Sequence, residues 1–433
     1  MTEARRRLFL CLMSLLLLPV TGMAEARYLY EPLKTPLNNP LMGLVVWAED
    51  LSEHPQPFSL VYANITWAEW EPEEGFYDVE ALEETYHLAW WRSQGKHVIL
   101  RFVMDIPGES EHADLPSWLL EKVGGTAYDI SYGKGFCPDY SDPVLQQAHA
   151  RAIRALGAQF DADSAVAFLE LGSLGHWGEW HVHEDAGEMP EASVREKYVM
   201  DYVEAFPSTH LLVRRPFRFA GELGMGLFND AAGDVSQTLV WLDWIENGGA
   251  YLGEEGALAA MSEGWKTGPI GGELTTGVTS EDLLRGDEET LTALFRLSHT
   301  SWIGPNSFSE VDDEALQDTL DTLMAAIGYR LLVTECRTDE ATICLTMGNL
   351  GIAPFYYDWP VVLRFGGEEV EELTLPLRLP DLLPGQEMTV SVPWPEGYEG
   401  EVWIGILDPM TGQAAVSLAM KTEVRDGWHL LVP

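Results

Sequence analysis

The stretch "DPVLQQAHARAIRALG" at residues 142–157, followed by "AVAFLELGS" at residues 165–173, decides the fold class. The first segment spaces its apolar residues as an amphipathic helix does. The second is a short apolar run that ends in polar residues, which is typical of a buried parallel strand. A helix pattern joined to a strand pattern by a short polar loop is part of a βαβ unit. This pair therefore predicts an α/β domain with a parallel sheet.

The same alternation continues on both sides, from about residue 40 to residue 328. Seven further apolar runs are predicted strands, at 41–47, 59–67, 96–105, 210–217, 224–230, 269–275 and 300–307. Helical patterns lie between or after them, at 80–94, 191–205, 281–298 and 312–327. Eight strands with such helices favour one (β/α)8 TIM barrel over a doubly wound sheet. The long loop at 106–140 is expected at the C-terminal face of that barrel, where active sites form.

After residue 328 the pattern changes to short alternating runs separated by Gly, Pro and Asp, such as "YRLLVTECRT" and "EVWIGILD". These runs predict a small all-β sandwich domain over 329–433, packed closely on a barrel that spans 27–328. Cys336 and Cys344 lie symmetrically about Glu340 in this domain. We expect them to form a disulfide across a hairpin, with Cys137 left as a buried thiol.

The N-terminal residues have the pattern of a secretory signal. Arg5 to Arg7 form a basic region, Leu8 to Leu18 form an apolar run, and Ala24-Glu25-Ala26 supplies a small-x-small cleavage site. The apolar run is too short to span a bilayer comfortably, which favours a cleaved signal over a membrane anchor. We therefore expect residues 1–26 to be removed, the protein to be secreted or extracytoplasmic, and no membrane insertion to follow.

Composition restricts the class of partner. The chain has 69 acidic and 26 basic residues, for a net charge of −43. Such a surface repels nucleic acid and anionic membranes, so neither is expected as a partner. Apolar content of 46% predicts a real core and excludes disorder. No Cys/His spacing typical of a zinc site occurs, so neither a metal nor another cofactor is expected.

The segment "FLELGSLGHWGEWHVH" at 168–183 contains the first candidate catalytic group, Glu179. It follows Gly178 beyond a strand end, and Trp177 and Trp180 flank it. Apolar rings partly desolvate a carboxyl group and favour its protonated form, as a general acid requires. The alternative is an exposed loop glutamate with core tryptophans. Glu170, earlier in the strand, is expected to be a hydrogen-bonded core residue.

The second candidate is Glu273 in "PIGGELTTG" at 269–277, at the end of the predicted seventh strand. Strands four and seven lie on facing parts of an eight-stranded rim. A glycosidase needs a second carboxylate opposite its acid, as nucleophile or as base. The alternative is a structural glutamate that caps the following helix.

Weaker candidates surround this pair. His176, His181 and His183 cluster near Glu179, but no convincing third ligand for a metal accompanies them. We expect substrate contacts from Trp177, Trp180, His176 and His181 and, at strand ends or inside the barrel, from Asp105, Arg101 and Asp230. Arg214 and Asn229 are further candidates, more often packing or orienting groups than catalysts.

Three motifs resemble known barrel enzymes. "ITWAEWEPEEGFYDVEAL" at 65–82 resembles the W-x-x-x-E-P-x-x-G-x-Y-D stretch of clan-A, β-galactosidase-like glycosidases, through Trp67, Glu71, Pro72, Gly75, Tyr77 and Asp78. "GHWGE" at 175–179 is similar to the G-x-x-G-E of β-amylases, which implies the general-acid role for Glu179. "GGEL" at 271–274 stands where those families keep their second catalytic glutamate, which implies that role for Glu273. The Asn-Glu pair that clan A carries at strand four is absent.

The whole layout resembles the bacterial family filed as domain of unknown function 4832, through "NPLMG" at 39–43, "GGEL", and "GNLGIAPFYYDWPVVLRF" at 348–365. That family is classed with glycosidase barrels by fold. The resemblance implies an exported glycoside hydrolase acting on an oligo- or polysaccharide without a cofactor. A non-catalytic carbohydrate-binding barrel is the main alternative, and a metal-dependent esterase or amidase is a third. The C-terminal domain would support the barrel or bind glycan.

Overall fold

Eight parallel strands form the barrel in a computed structural model that describes residues 26–366, 371–395 and 398–433. The predicted signal peptide, except Ala26, lies outside the described residues. The strands are β1 (Gly43–Trp47), β2 (Leu60–Thr66), β3 (His97–Val103), β4 (Val166–Glu170), β5 (His210–Val213), β6 (Gly226–Ala232), β7 (Ile270–Leu274) and β8 (Trp302–Ile303). All eight coincide with predicted strands, so the predicted (β/α)8 barrel is confirmed.

The sheet closes on itself. Strands β1 to β7 pair in parallel in chain order, and β8 pairs with β1. The backbone N–H of Ser301 donates to the carbonyl of Ile270 at 2.7 Å, and that of Gly304 to Gly272 at 2.8 Å. These bonds join β8 to β7. A Cβ at Gly271 would lie 2.0 Å from the Trp302 ring, so glycine is required where this indole fills the barrel interior.

Helices surround the barrel. They are Trp67–Trp70, Val79–Thr85, Leu88–Ser93, Ser117–Leu120, Pro143–Phe160, Ala192–Ala205, Arg218–Glu222, Val235–Asn247, Ser280–Leu284, Glu288–Leu297 and Gln317–Ala326. Short 3-10 turns occur at His176–Gly178, Gly264–Lys266, Glu314–Leu316 and Leu379–Asp381. In the part of the chain that the structure describes, no helix is both long and apolar enough to cross a membrane.

Two of the predicted helices are each divided into two shorter helices in the structure. The pattern at 80–94 is interrupted at His87, whose φ of 51° is left-handed, and the pattern at 281–298 is interrupted before Asp287. Asp287 caps a new helix by accepting from the N–H of Glu289. The apolar period continues across both breaks because both pieces pack on the same barrel face, so periodicity alone did not reveal them.

Two antiparallel hairpins lie in the loops of the barrel. Gly125–Ile130 pairs with Gly133–Pro138 inside the long loop after β3, and Gly249–Tyr251 pairs with Glu254–Leu258 after the helix that follows β6. The first hairpin follows the carboxyl end of a barrel strand. The predicted long loop therefore has its own secondary structure.

The C-terminal domain is a sandwich of two antiparallel sheets. One contains Ala26–Leu29, Leu331–Thr338, Thr342–Asn349 and Glu387–Pro393, and the other contains Glu371–Thr374, Val361–Phe365, Val402–Ile406, Trp428–Val432 and Val424–Arg425. The strand Ala26–Leu29 belongs to the sandwich although it precedes the barrel in sequence. Leu41 and Val45 of the barrel share one buried apolar cluster with Tyr329 and Leu331. The two domains therefore share a continuous core.

The predicted disulfide between Cys336 and Cys344 is wrong. In the hairpin Cys336 faces Leu345 and Arg337 faces Cys344, so the turn is centred between Glu340 and Ala341 rather than on Glu340. A one-residue offset puts two side chains on opposite faces of a sheet. Cys336 is accordingly buried in the sandwich, Cys344 is half-buried, and both thiols are free.

Candidate active site

The loop after β4 makes a tight turn at the carboxyl end of the barrel. Gly175 and Gly178 have φ values of 82° and 75°, and a Cβ at Gly178 would lie 2.4 Å from the backbone of Gly172. The N–H of Trp177 donates to the carbonyl of Asp105 at 2.8 Å, which ties this loop to the end of β3. Glycine is required for this path, and the path brings Glu179 back over the barrel mouth.

Glu179 has a nearly buried carboxyl group without a strong partner. Its side chain is 16% exposed, and Nδ1 of the His181 ring lies 3.9 Å from Oε2. Burial, together with the charges of Asp230 and Glu273, raises the pKa of Glu179 to about 8 against the opposing charges of Arg101 and Arg214. The carboxyl group therefore keeps its proton at neutral pH.

Glu273 lies on β7, and its carboxyl group is held by one neutral donor. Nδ2 of Asn306 donates to Oε2 of Glu273 at 2.8 Å. Burial raises the pKa of Glu273 to about 7, with Arg101 and Asn306 opposing this effect. The helix-cap alternative is wrong, because Thr279 caps the following helix by accepting from the N–H of Asp282.

The two glutamates share one electrostatic environment. The charge of Arg101 lowers the pKa of both, the charge of Asp230 raises the pKa of both, and the charge of Glu273 raises that of Glu179. Charges act on one another's pKa in this way only over short distances or through a poorly screened medium. Glu179 and Glu273 therefore belong to one site at the barrel mouth.

Asp230 provides a permanent negative charge beside this pair. Its carboxylate is ion-paired with Nη2 of Arg214. Burial would raise the pKa of Asp230, but the Arg214 guanidinium, with smaller contributions from Arg215 and His181, lowers it overall. Asp230 therefore stays ionised while Glu179 stays protonated. Asn229, the further candidate that precedes Asp230 in sequence, is buried. Its Nδ2 donates to Oγ1 of Thr238 at 3.2 Å.

Arg101 lies beneath the carboxyl groups and is bound within the barrel. Its Nε donates to Oε2 of Glu170 at 2.9 Å, and its Nη1 donates to the carbonyl of Trp177 at 3.1 Å. The hydroxyl of Tyr62 donates to the same Glu170 oxygen at 2.6 Å. Glu170 is thus the hydrogen-bonded core residue that the sequence predicted. The predicted substrate contact of Arg101 is wrong, because its guanidinium is buried and occupied.

Three other predicted substrate contacts are also wrong, because their side chains are buried. Nδ1 of His176 lies 2.9 Å from Oδ2 of Asp105, and its Nε2 accepts from the N–H of His183 at 3.0 Å. The indole of Trp180 is 1% exposed and donates to the carbonyl of Leu171 at 2.9 Å. His176, Asp105 and Trp180 therefore fix the loop and do not reach a ligand.

The exposed rim beside Glu179 is aromatic. Tyr132, at the tip of the first hairpin, is 44% exposed and its ring centre lies 5.3 Å from that of Trp177. The rings of His181 and His183 lie 5.8 and 5.4 Å from Tyr132. Burial lowers the pKa of His181 to about 4, so this ring is neutral. Tyr132, Trp177 and His181 together form a surface suited to the apolar face of a sugar.

Two functional residues escaped the sequence analysis. Tyr132 lies between two short strands in the long loop, and only the length of that loop pointed to it. Asn306 follows β8, and nothing in the sequence indicated that its amide reaches Glu273. Both positions depend on contacts between loops that are distant in sequence.

The histidines near Glu179 do not assemble a metal site. Both ring nitrogens of His176 are engaged, by Asp105 and by the His183 backbone. Within residues 26–366, 371–395 and 398–433, no group of three or more His, Cys, Asp or Glu side chains is placed to hold a metal ion.

A larger cavity than any at this site is at the other end of the barrel. It has a volume of about 450 Å³, and its lining includes Met225 and Gly268, which precede β6 and β7, as well as Leu242 and Trp265. Active sites of such barrels form at the carboxyl ends of the strands. We therefore assign the site by its carboxyl groups and not by cavity size.

No family model matches the sequence, and no curated protein matches it. Among solved structures, the fold is similar to endo-glycoceramidase II from Rhodococcus sp. in its ganglioside GM3 complex, at 14% identity over 82% of this chain and 97% of that chain, with a TM-score of 0.44. It is also similar to the exo-β-1,4-mannosidase Op5Man5 from Opitutaceae bacterium strain TAV5, at 13% identity over 66% and 56% of the two chains, with a TM-score of 0.39. Likeness of this degree does not extend to activity.

Proposed function

We propose that this chain is a glycoside hydrolase that cleaves an oligo- or polysaccharide, with Glu179 as general acid and Glu273 as nucleophile or base. One observation carries the proposal. Two carboxyl groups at the barrel mouth have raised pKa values and, among the described residues, no cationic hydrogen-bond partner. Burying a carboxyl group without such a partner is unfavourable, so the arrangement is typical of a group that chemistry uses.

The order of the two pKa values supports this division of roles. The pKa of Glu179 is raised to about 8 and that of Glu273 to about 7, so at neutral pH Glu179 keeps its proton and Glu273 is the more readily ionised of the two. Glu179 would donate its proton to the glycosidic oxygen as the bond to the anomeric carbon breaks. Glu273 would either attack that carbon or take a proton from the water that attacks it.

Asp230 supports the same chemistry from the side. Its negative charge, maintained by Arg214, favours the protonated form of Glu179. A fixed negative charge also stabilises the positive charge that develops on the sugar in the transition state. Asp230 is therefore assigned an electrostatic role, and the Tyr132 and Trp177 rings are assigned to sugar binding.

A non-catalytic carbohydrate-binding barrel is the second candidate. The aromatic rim formed by Tyr132, Trp177 and His181 would serve binding alone. Binding does not require two carboxyl groups with raised pKa values, however. The proposed hydrolase therefore accounts for more of the observed site than a carbohydrate-binding barrel does.

Hydrolysis of a panel of labelled glycans tests the proposal. The panel should contain α- and β-linked oligosaccharides of glucose, mannose, xylose and galactose, incubated with wild type, Glu179→Gln and Glu273→Gln. We expect wild type to release product from at least one glycan, and neither variant to do so. Glu184→Gln is the matched control, because Glu184 is exposed in the same loop. Binding without turnover by wild type would favour the second candidate, and full activity in either active-site variant would exclude the proposed pair.

A further inference from the structure

A second cavity lies over the carboxyl ends of β1, β7 and β8. Its volume is about 360 Å³, and its lining includes Trp47, His54, Thr275 and Asn306. Trp47 is the last residue of β1, and Thr275 follows β7 directly. The cavity is therefore on the catalytic face of the barrel, at the opposite side of the rim from the loop that follows β4.

This cavity borders the candidate catalytic pair at one side chain, Asn306. Asn306 lines the cavity and donates from Nδ2 to Oε2 of Glu273 at 2.8 Å. The backbone of Asn306 also accepts from the N–H of Leu274 at 2.8 Å, which fixes its position beside β7. A chain of sugars that reaches Glu273 would thus have this cavity directly beside it, across Asn306.

Trp47 provides a rigid, exposed ring in the cavity wall. The residue is 40% exposed, and its ring centre lies 5.6 Å from that of Tyr62 in an edge-to-face arrangement. Tyr62 is itself held by its hydrogen bond to Glu170. An exposed indole supported from behind costs little entropy when a sugar ring stacks on it.

His54 forms part of the wall of the same cavity. Its side chain is 3% exposed, and its Nδ1 contacts the carboxylate of Glu310. A side chain this buried does not reach a ligand, so His54 shapes the wall without contacting the sugar.

The charge of the lining restricts the ligand. Asp50 and Glu310 are in the lining, and no lysine or arginine is. Two carboxylates without a cation repel an anionic sugar such as a uronic acid. An uncharged sugar with hydroxyl groups can stack on Trp47 and hydrogen-bond to Asn306.

We propose that this cavity is a subsite for a neutral sugar unit, on the Glu273 side of the bond that is cleaved. The proposal rests on the proposed function for its place in catalysis. With the Tyr132 and Trp177 rings on the other side, it makes the substrate a neutral glycan that crosses the barrel mouth and occupies both flanks of the catalytic pair. Short glycans then leave one flank empty.

Binding measurements on Trp47 variants test the subsite. Calorimetry should compare neutral gluco-, manno- and xylo-oligosaccharides of two and five units with an oligogalacturonide of five units, using Glu179→Gln protein to prevent turnover. We expect a neutral pentasaccharide to bind more tightly than its disaccharide. Trp47→Ala should remove that gain, a loss of about fivefold or more, and Trp47→Phe should restore most of it. Trp90→Ala is the matched control, because Trp90 is an exposed tryptophan outside the site.

The outcomes separate this subsite from the proposed function. Equal pentasaccharide affinity in Trp47→Ala, equally tight binding of the oligogalacturonide, or no binding of any neutral oligosaccharide overturns the subsite. If wild type hydrolyses a glycan and Trp47→Ala keeps its pentasaccharide affinity, the proposed hydrolase activity is supported and the subsite is excluded. If Trp47→Ala loses the tighter binding of the pentasaccharide and wild type hydrolyses no glycan, the subsite is supported and the proposed hydrolase activity is excluded.

Discussion

The interior of the barrel and its mouth each contain a buried glutamate from the same segment, and the two are treated in opposite ways. Glu170 receives hydrogen bonds from Arg101 and Tyr62. Glu179 follows later in the same segment. Its carboxyl group receives no hydrogen bond from the described residues, and its pKa is raised to about 8. Burial is common to both, so burial alone does not mark a catalytic group. What marks Glu179 as a candidate catalytic group is that its buried carboxyl group has no hydrogen-bond partner among the described residues.

Glu71 extends the comparison to the motif that most resembles known glycosidases. Its carboxylate accepts from Nε1 of Trp67 at 2.9 Å and from the N–H of Gly75 at 2.8 Å, and the residue is buried. Tyr77 of the same motif stacks on Trp70 with ring centres 5.0 Å apart. The motif therefore stabilises the loop after β2, and its glutamate belongs with Glu170 rather than with Glu179.

The largest expected effect is on turnover. Glu179→Gln should lower kcat by roughly 10²- to 10⁴-fold, because the leaving oxygen loses its proton donor. Aryl glycosides with acidic leaving groups should lose much less, since they need little protonation. Steady-state kinetics with a series of leaving groups checks this. Equal loss for good and poor leaving groups would contradict the acid role of Glu179.

The next effect is on folding, at the paired glutamate. Glu170→Gln leaves the buried Arg101 guanidinium without its counter-charge, so we expect a loss of about 3–5 kcal/mol in the free energy of unfolding. Glu372→Gln is the control, because its pair with Arg364 is at the surface and should contribute little. Urea unfolding measures both. An unchanged stability in Glu170→Gln would mean that the interior pair is not what keeps this glutamate in place.

Substitution of the two tryptophans that flank Glu179 should have different effects, one on stability and the other on glycan binding. Trp180→Ala removes a buried indole packed on Phe217 and should destabilise the protein by about 3–5 kcal/mol. Trp177→Ala should leave stability nearly unchanged and weaken glycan binding by on the order of 1 kcal/mol. Thermal melts and calorimetry decide between them. A stable Trp180→Ala with weakened binding would reverse the assignment of the two rings.

The last expected effect, a shift of a few degrees in melting temperature, is a pH dependence of stability. The folded protein keeps a proton on Glu179 between the ordinary pKa of 4.5 and the raised value of about 8, whereas the unfolded chain releases it. Stability linked to this group therefore falls as pH rises through that window. Glu179→Gln should melt a few degrees above wild type at pH 9, and the difference should vanish near pH 4.5. A difference that is constant with pH would contradict the raised pKa.

The regular elements of the barrel could be predicted from the sequence, but their exact ends could not. The eight barrel strands and most helices followed from periodicity, and Glu273 was found because it lies near the end of a strand of a closed barrel. The orientation of loop side chains could not be predicted. Loops have no period, so nothing distinguished buried Trp180 and His176 from accessible Trp177 and His181. The hairpin of Cys336 failed for a related reason, since a one-residue register offset is invisible in the spacing.

The most direct test of the account is the titration of the two mouth carboxyl groups by NMR. Protein with ¹³C at the glutamate carboxyl carbons should be titrated from pH 4 to 10, with Glu179→Gln and Glu273→Gln used to assign the two signals. We predict that the signal lost in Glu179→Gln titrates near pH 8 and the signal lost in Glu273→Gln near pH 7. In Glu273→Gln the Glu179 signal should titrate at lower pH, because the neighbouring negative charge of Glu273 has been removed. Titration of both groups near the ordinary glutamate value of 4.5, in wild type and variants alike, would contradict the catalytic pair.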